Sequence, residues 1–196
     1  MCFAERRQRL AALVMAAALL GACGSSITDD LLPSDENQVP PVAPGTVGPA
    51  PGQIAPDFTL PDTRGGSLHL ADRLSGGAQP ADAVVLYFTM WCPVCLSHTD
   101  HLLSSIVPRF AGRGTVVYAL VDYVSGSVEA ARAMEQANGY TGAALLVVVD
   151  ASLLVFDAYH GAMGKVEVIG ADGVVRLSED YRDGRNLAAT LDGLLP

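Results

Sequence analysis

The sequence predicts an α/β fold: a central β-sheet with helices packed on both faces. Three observations lead there. From residue 83 onward, short apolar runs of strand length alternate with helix-period segments in the order βαβαβα. The run "AVVLYF" (83–88) is apolar at every position, as a strand covered on both faces must be. The chain then closes with two short runs around "ADG" (171–173) and a final helix-period segment. With 196 residues, half of them hydrophobic, there is material for one ordinary core.

Each element can be argued in turn. "DFTL" (57–60) and "SLHL" (67–70) alternate like strands, and "PDTRGG" between them is turn-forming, so an N-terminal hairpin is expected. "GGAQPAD" (76–82) reads as a loop before the buried strand 83–88. Beyond it Leu96, Leu102, Leu103, Ile106, Val107 and Phe110 recur at helical spacing, with Pro108 expected to bend or end the helix. "TVVYALVD" (115–122) is a second buried strand. "SVEAARAMEQANG" is a helix with Ser127 as N-cap and Gly139 as its stop. "AALLVVVD" (143–150) is a strand, "ASLLVFDAYH" a short helix, "KVEVIG" and "VVRLS" a hairpin, and "NLAATLDGLL" the closing helix.

The N-terminal end is of another kind. "MCFAERRQR" is basic and "LAALVMAAALL" is apolar but short for a membrane span, the pattern of a signal peptide over residues 1–22. "LGAC" then resembles a bacterial lipobox, which implies lipidation of Cys23; an ordinary signal peptide or a retained apolar anchor are the alternatives. Gly24 rather than Asp after that cysteine points, by analogy with Gram-negative sorting, to the outer membrane. Residues 23–52 are rich in Pro, Gly, Ser and Asp and read as a disordered tether, with the folded domain spanning 53–196. The expected location is the extracytoplasmic side of a bacterial envelope, with the lipid on Cys23 as the membrane attachment.

Charge narrows the partners. Twelve Lys and Arg stand against 21 Asp and Glu, and Lys165 is the single lysine. Without clustered cations to neutralise phosphates, nucleic-acid binding is excluded as an expectation. The protein itself is expected to be a monomer.

Cys2 falls in the signal segment and Cys23 at the lipobox, which leaves Cys92 and Cys95 for chemistry. Their stretch, "WCPVC", sits where a buried strand ends and a helix begins. Unpaired N–H groups and partial positive charge at a helix N-terminus stabilise a thiolate on the first cysteine. The second, one turn along, can attack a mixed disulfide and release the product. Pro93 starts the helix at little cost. A structural zinc site would need a second ligand pair, and His69, His98, His101 and His160 offer none at finger spacing. A structural disulfide over four residues would close too short a loop to stabilise much. Redox chemistry is the expectation, with no cofactor.

These residues, with "APDFTLPDTRGGSLHL" before them and "GADGVV" after, resemble the thioredoxin superfamily. The nearest branch is the redoxin or TlpA/ResA-like group, related to AhpC/TSA proteins. The resemblance spans residues 53–196 and rests on "PDFTLPD" and "WCPVC". It implies a thioredoxin-like fold with a central mixed sheet and an extra N-terminal hairpin. It implies a thiol–disulfide oxidoreductase in which Cys92 attacks, Cys95 resolves, and Trp91, Pro93, Met163 and Gly164 pack around the pair. Three departures matter. Leu86 stands where thioredoxins bury an acid. His98 stands where the TlpA-like branch often has glutamate, and is either the group that activates Cys95 or a residue on a half-exposed helix face. The superfamily's cis-proline is missing, with Gly164 or Met163 in its place.

Two related readings use the same residues. A peroxiredoxin-like peroxidase would use the Thr-x-x-Cys of Thr89 and Cys92. Val85 replaces its usual proline, and Lys165 is the one cation near its arginine position. A Sco-like copper protein would use Cys92, Cys95 and His160, with Met163 in the same loop, since soft thiolates suit Cu(I). A binding domain that keeps the fold without catalysis is the third, opposed by the intact pair.

Overall fold

Strand β3 (Ala83–Thr89) is buried along its whole length, and the fold is built around it. The computed structural model describes residues 42–43 and 45–196. The expected signal segment, Cys23 and the tether up to residue 41 lie outside the described residues.

The main sheet has five strands in the order β5-β4-β3-β6-β7. β4 (Val116–Asp122) and β5 (Leu146–Val149) run parallel to β3, as crossover helices dictate. β6 (Lys165–Gly170) and β7 (Val175–Asp180) form the expected hairpin, and β6 lies antiparallel on the other edge of β3. At its turn, Gly173 adopts φ +78°, a conformation glycine takes without strain. A separate two-stranded hairpin, β1 (Thr59–Pro61) with β2 (Ser67–His69), sits on one face of the sheet, bridged to β5 through Asp62 and Val148.

Alternate residues of β3 feed two cores. Val85 and Tyr87 face Leu102, Ile106, Phe110 and the closing helix residues Leu187 and Leu191. Val84, Leu86 and Phe88 face Leu60, Leu68, Val155 and Tyr159. Each such large side chain withdrawn from water contributes about 1.5–3 kcal/mol. Helices α2 (Pro93–His101), α4 (Val128–Ala137) and α6 (Arg185–Leu194) supply the first core; α5 (Leu154–Ala158) and α1 (Leu70–Arg73) supply the second. Helices therefore lie on both faces, as expected.

Three local features differ from, or sharpen, the sequence reading. Leu70 opens the short helix α1 instead of ending a strand. The helix after the cysteines does not break at Pro108. It passes through a π-helical turn at Leu102–Ile106 and ends as α3 (Val107–Phe110). Proline lacks an N–H and its ring crowds the carbonyl four residues back; widening the preceding turn absorbs both. Residues 45–52, grouped by composition with the tether, are tied into the fold. Ile54 N–H donates to Thr46 O, and Gly52 N–H to Val175 O, each at 2.9 Å. The Ser127 cap is present: its hydroxyl accepts from Ala130 N–H at 3.1 Å.

Candidate functional site

Cys92 is the N-cap of α2, and Pro93 is its first residue, as the strand–helix junction requires. The Cys92 sulfur accepts the Cys95 backbone N–H at 3.2 Å and lies 2.9 Å from Cys95 Sγ; both thiols are free. Cys92 is partly exposed, whereas Cys95 is fully buried. The Cys92 pKa is lowered, first by the Cys95 side chain as hydrogen-bond donor; burial opposes this, and backbone N–H groups of the helix start then add to the lowering. A partly exposed, acidified thiol above a buried one could serve as the attacking and the resolving sulfur of a disulfide exchange.

Trp91 packs beside the pair, 7% exposed, in the left-handed conformation at φ 59°. Its indole N–H donates to Asp122 Oδ2 at 2.8 Å, and its backbone N–H donates to Thr89 Oγ1 at 3.1 Å. Asp122 ends β4 directly beside Thr89 and is itself fully buried. Its other oxygen accepts from Val124 and Ser125 N–H, so this carboxylate fastens the tryptophan to the loop after β4.

The loop before β6 faces the cysteines. Met163 Sδ lies 3.4 Å from Cys92 Sγ while the side chain stays about half exposed. Gly164 has φ +78°, and its N–H donates to Phe88 O at 3.0 Å. A Cβ there would lie 3.6 Å from both His98 Nδ1 and the Tyr87 hydroxyl. The structure thus brings Trp91, Cys92, Pro93, Cys95 and Met163 together, with Gly164 over His98. His160 is exposed at the end of α5, at φ 48°, and its carbonyl accepts from Lys165. Among the described residues no hydrogen bond joins its ring to either cysteine.

His98 is half-buried, and its hydrogen bond runs to the Tyr87 hydroxyl (2.9 Å from Nδ1). The Tyr181 ring leans on it at 4.9 Å, and Tyr181 OH in turn lies 2.6 Å from His101 Nδ1. Burial, and then the charge of His101, hold His98 below the ordinary histidine pKa, so the ring is neutral at neutral pH.

Three further residues of this region escaped sequence reasoning. Tyr87 and Asp122 lie within the runs 83–88 and 115–122 that the sequence assigns to buried strands. Glu167, in "KVEVIG", is a fully buried carboxylate on β6 directly opposite Leu86, paired with Lys165 Nζ at 2.8 Å. Burial pushes its pKa up to about 7 against the pull of Lys165 and Ser178. A signal existed for each: a polar atom in a strand covered on both faces needs a partner.

The AhpC/TSA family model matches residues 51–178, well over half of the chain. The chain belongs to the AhpC/TSA family. That membership agrees with the redoxin resemblance and places the chain among the oxidoreductases, as expected from the cysteine pair. No curated protein sequence matches it. Solved structures share the thioredoxin-like fold with this AhpC/TSA protein at low identity. One is a provisionally named protein disulfide isomerase from Bacteroides thetaiotaomicron, 19% identical with TM-score 0.62 over 77% of this chain and 94% of that one. Another is a provisionally named thiol:disulfide interchange protein DsbE from Chlorobium tepidum, 20% identical with TM-score 0.59 over 74% and 97%. A third is a secreted Mycobacterium tuberculosis disulfide oxidoreductase homologous to E. coli DsbE, 17% identical with TM-score 0.53 over 70% and 96%.

Proposed function

We propose that this AhpC/TSA protein exchanges its Cys92–Cys95 dithiol with disulfides of extracytoplasmic proteins, held at the membrane by lipid on Cys23. The observation that carries the reading is the division of the pair: an exposed, acidified Cys92 capping α2 above a fully buried Cys95. Cys92 thiolate attacks a partner disulfide, one partner sulfur leaves as thiol, and Cys95 then attacks Cys92 to release the other. Two electrons pass to the partner as the Cys92–Cys95 disulfide forms. The extracytoplasmic setting draws on the lipobox-like "LGAC" and on the secreted relative with this fold.

Peroxidase chemistry is less well served. The Thr89 hydroxyl is buried and turned to the Trp91 N–H, and Lys165 is committed to Glu167 and the Tyr159 carbonyl, so neither is directed at Cys92.

The test is reduction of insulin disulfides by the purified protein with dithiothreitol, followed by trapping in cells with a Cys95→Ser variant. Turnover that vanishes in Cys92→Ser, and trapped mixed disulfides with envelope proteins, are expected. Absence of turnover in the wild-type protein would sink the reading.

Met163 favours a second reading, Cu(I) binding. A thioether 3.4 Å from Cys92 adds a third soft sulfur to the two thiolates, and does so in place of His160. Titration of the reduced protein with Cu(I) against a chromogenic chelator tests it. Met163→Leu should weaken binding several-fold, and failure of the wild-type protein to compete with the chelator would remove the idea.

A further inference from the structure

Met163 differs from the other exposed apolar side chains in what it touches. Its sulfur lies 3.4 Å from Cys92 Sγ, and the Cys92 S–H donates towards it. The side chain is nevertheless 47% exposed, so an oxidant in solvent can reach the thioether. The loop that carries it is fixed from several sides. Gly164 N–H donates to Phe88 O at 3.0 Å, and Gly164 O accepts from Tyr181 N–H at 2.8 Å. Lys165, paired with Glu167 at 2.8 Å, donates to the Tyr159 carbonyl at the other end of the loop. On its far side Cys92 meets the fully buried Cys95, with 2.9 Å between the sulfurs. Met163, Cys92 and Cys95 thus stand in contact in that order, from exposed to partly exposed to buried.

A peroxide converts an exposed thioether to a sulfoxide, polar where the thioether was apolar. Its reduction by thiols needs one sulfur that reaches the oxidised sulfur and a second that completes a disulfide. Both are in place around Met163.

We propose that this protein reduces the sulfoxide of its own Met163, with Cys92 as the attacking sulfur and Cys95 as the resolving one. The activity goes beyond exchange with partner proteins, although it uses the same pair. Hydrogen peroxide transfers one oxygen to Met163 Sδ and leaves as water. Cys92 thiolate then attacks Sδ, and the Sγ–Sδ bond forms as the sulfoxide oxygen takes two protons from solvent and departs as water. Cys95 thiolate attacks Cys92 Sγ, the Sγ–Sδ bond breaks, and Met163 keeps the electron pair as a thioether. The two thiols lose two electrons and two protons in all. The products are water, the Cys92–Cys95 disulfide and intact Met163.

The surroundings suit this chemistry. Half exposure leaves room for the added oxygen on the solvent side while the sulfur still faces Cys92. Cys92, with its lowered pKa, supplies thiolate near neutral pH. Met90 supplies the contrast within the same chain. It is 41% exposed and two residues before Cys92, yet among the described residues no hydrogen bond joins its sulfur to either cysteine.

The test begins with full-length protein oxidised to the Cys92–Cys95 disulfide, which shields both sulfurs. Hydrogen peroxide then converts Met90 and Met163 to sulfoxides and is removed. Dithiothreitol opens the disulfide, and peptide mass spectrometry follows the oxygen on each methionine with time. Proximity of the thiolate should make loss of the Met163 oxygen at least about ten-fold faster than loss of the Met90 oxygen. Fast loss from about half of the Met163 sulfoxide, the epimer whose sulfur Cys92 can approach, supports the proposal equally. In Cys92→Ser the Met163 sulfoxide should last as long as that of Met90. A wild-type Met163 sulfoxide as persistent as the Met90 one, or equally fast loss in Cys92→Ser, overturns the proposal. The insulin assay on unoxidised protein separates the two readings. Insulin turnover with a persistent Met163 sulfoxide removes the repair and leaves disulfide exchange; repair without insulin turnover does the reverse.

Discussion

The indole N–H of Trp91 is bonded to the buried carboxylate of Asp122 at 2.8 Å, across 31 residues of chain. This bond, with two loop N–H groups on the other carboxylate oxygen, holds a left-handed tryptophan immediately ahead of Cys92. Asp122→Ala would leave three donors without their acceptor in a buried site. A loss of about 3 kcal/mol in denaturant unfolding is expected. Trp91 is the single tryptophan, so its emission should shift to the red in the folded variant. An unshifted spectrum would show that Asp122 does not set the indole's position.

Acidity of Cys92 comes first from Cys95 and only then from the helix start. The iodoacetamide rate of the reduced protein should therefore rise with pH around a midpoint below the ordinary thiol value of about 8.5. Cys95→Ala should move that midpoint upward without exposing Cys92 further. An unchanged midpoint would assign the effect to the backbone alone.

Glu167 couples stability to pH. Its folded pKa of about 7 lies above its ordinary value of 4.5, so between these values the native state holds a proton that the unfolded chain has lost. The native state binds more protons there, and stability falls as pH rises from about 4.5 to about 7. The full effect is roughly 3 kcal/mol, from about 1.4 kcal/mol per pKa unit. Thermal melts across that window should show the decline in the wild-type protein and lose this component in Glu167→Gln.

Gly164, in the loop before β6, has φ +78°. A Cβ there meets its neighbours at ordinary distance, so Gly164→Ala should cost only the left-handed backbone, about 1–2 kcal/mol. Gly164→Pro cannot adopt that φ and deletes the N–H that bonds Phe88 O, so its loss in denaturant melts should be clearly larger. Equal losses would show that the loop refolds around the substitution.

The strand–helix junction at "WCPVC", the Ser127 cap, the "ADG" hairpin and the α/β alternation were all legible, because each is a relation between residues close in the chain. Leu86 was legible as a departure from thioredoxins, but the buried Glu167 opposite it was not, since that placement follows only from the register of β3 against β6. Position 98 was legible as a candidate proton carrier, but its partner was not. A tyrosine in an apolar strand reads as core until the helix packs on the sheet and brings Nδ1 to its hydroxyl.

The local order of residues thus dictates two cysteines at the start of a helix, one outward and one inward, since a helix cap and the turn after it have fixed directions. Which groups surround those sulfurs is decided by packing between segments remote in sequence. Met163 reaches Cys92 across 71 residues, and Asp122 reaches Trp91 only because β4 pairs with β3 in one register. A shift of one residue in that pairing would turn every β4 side chain to the opposite face.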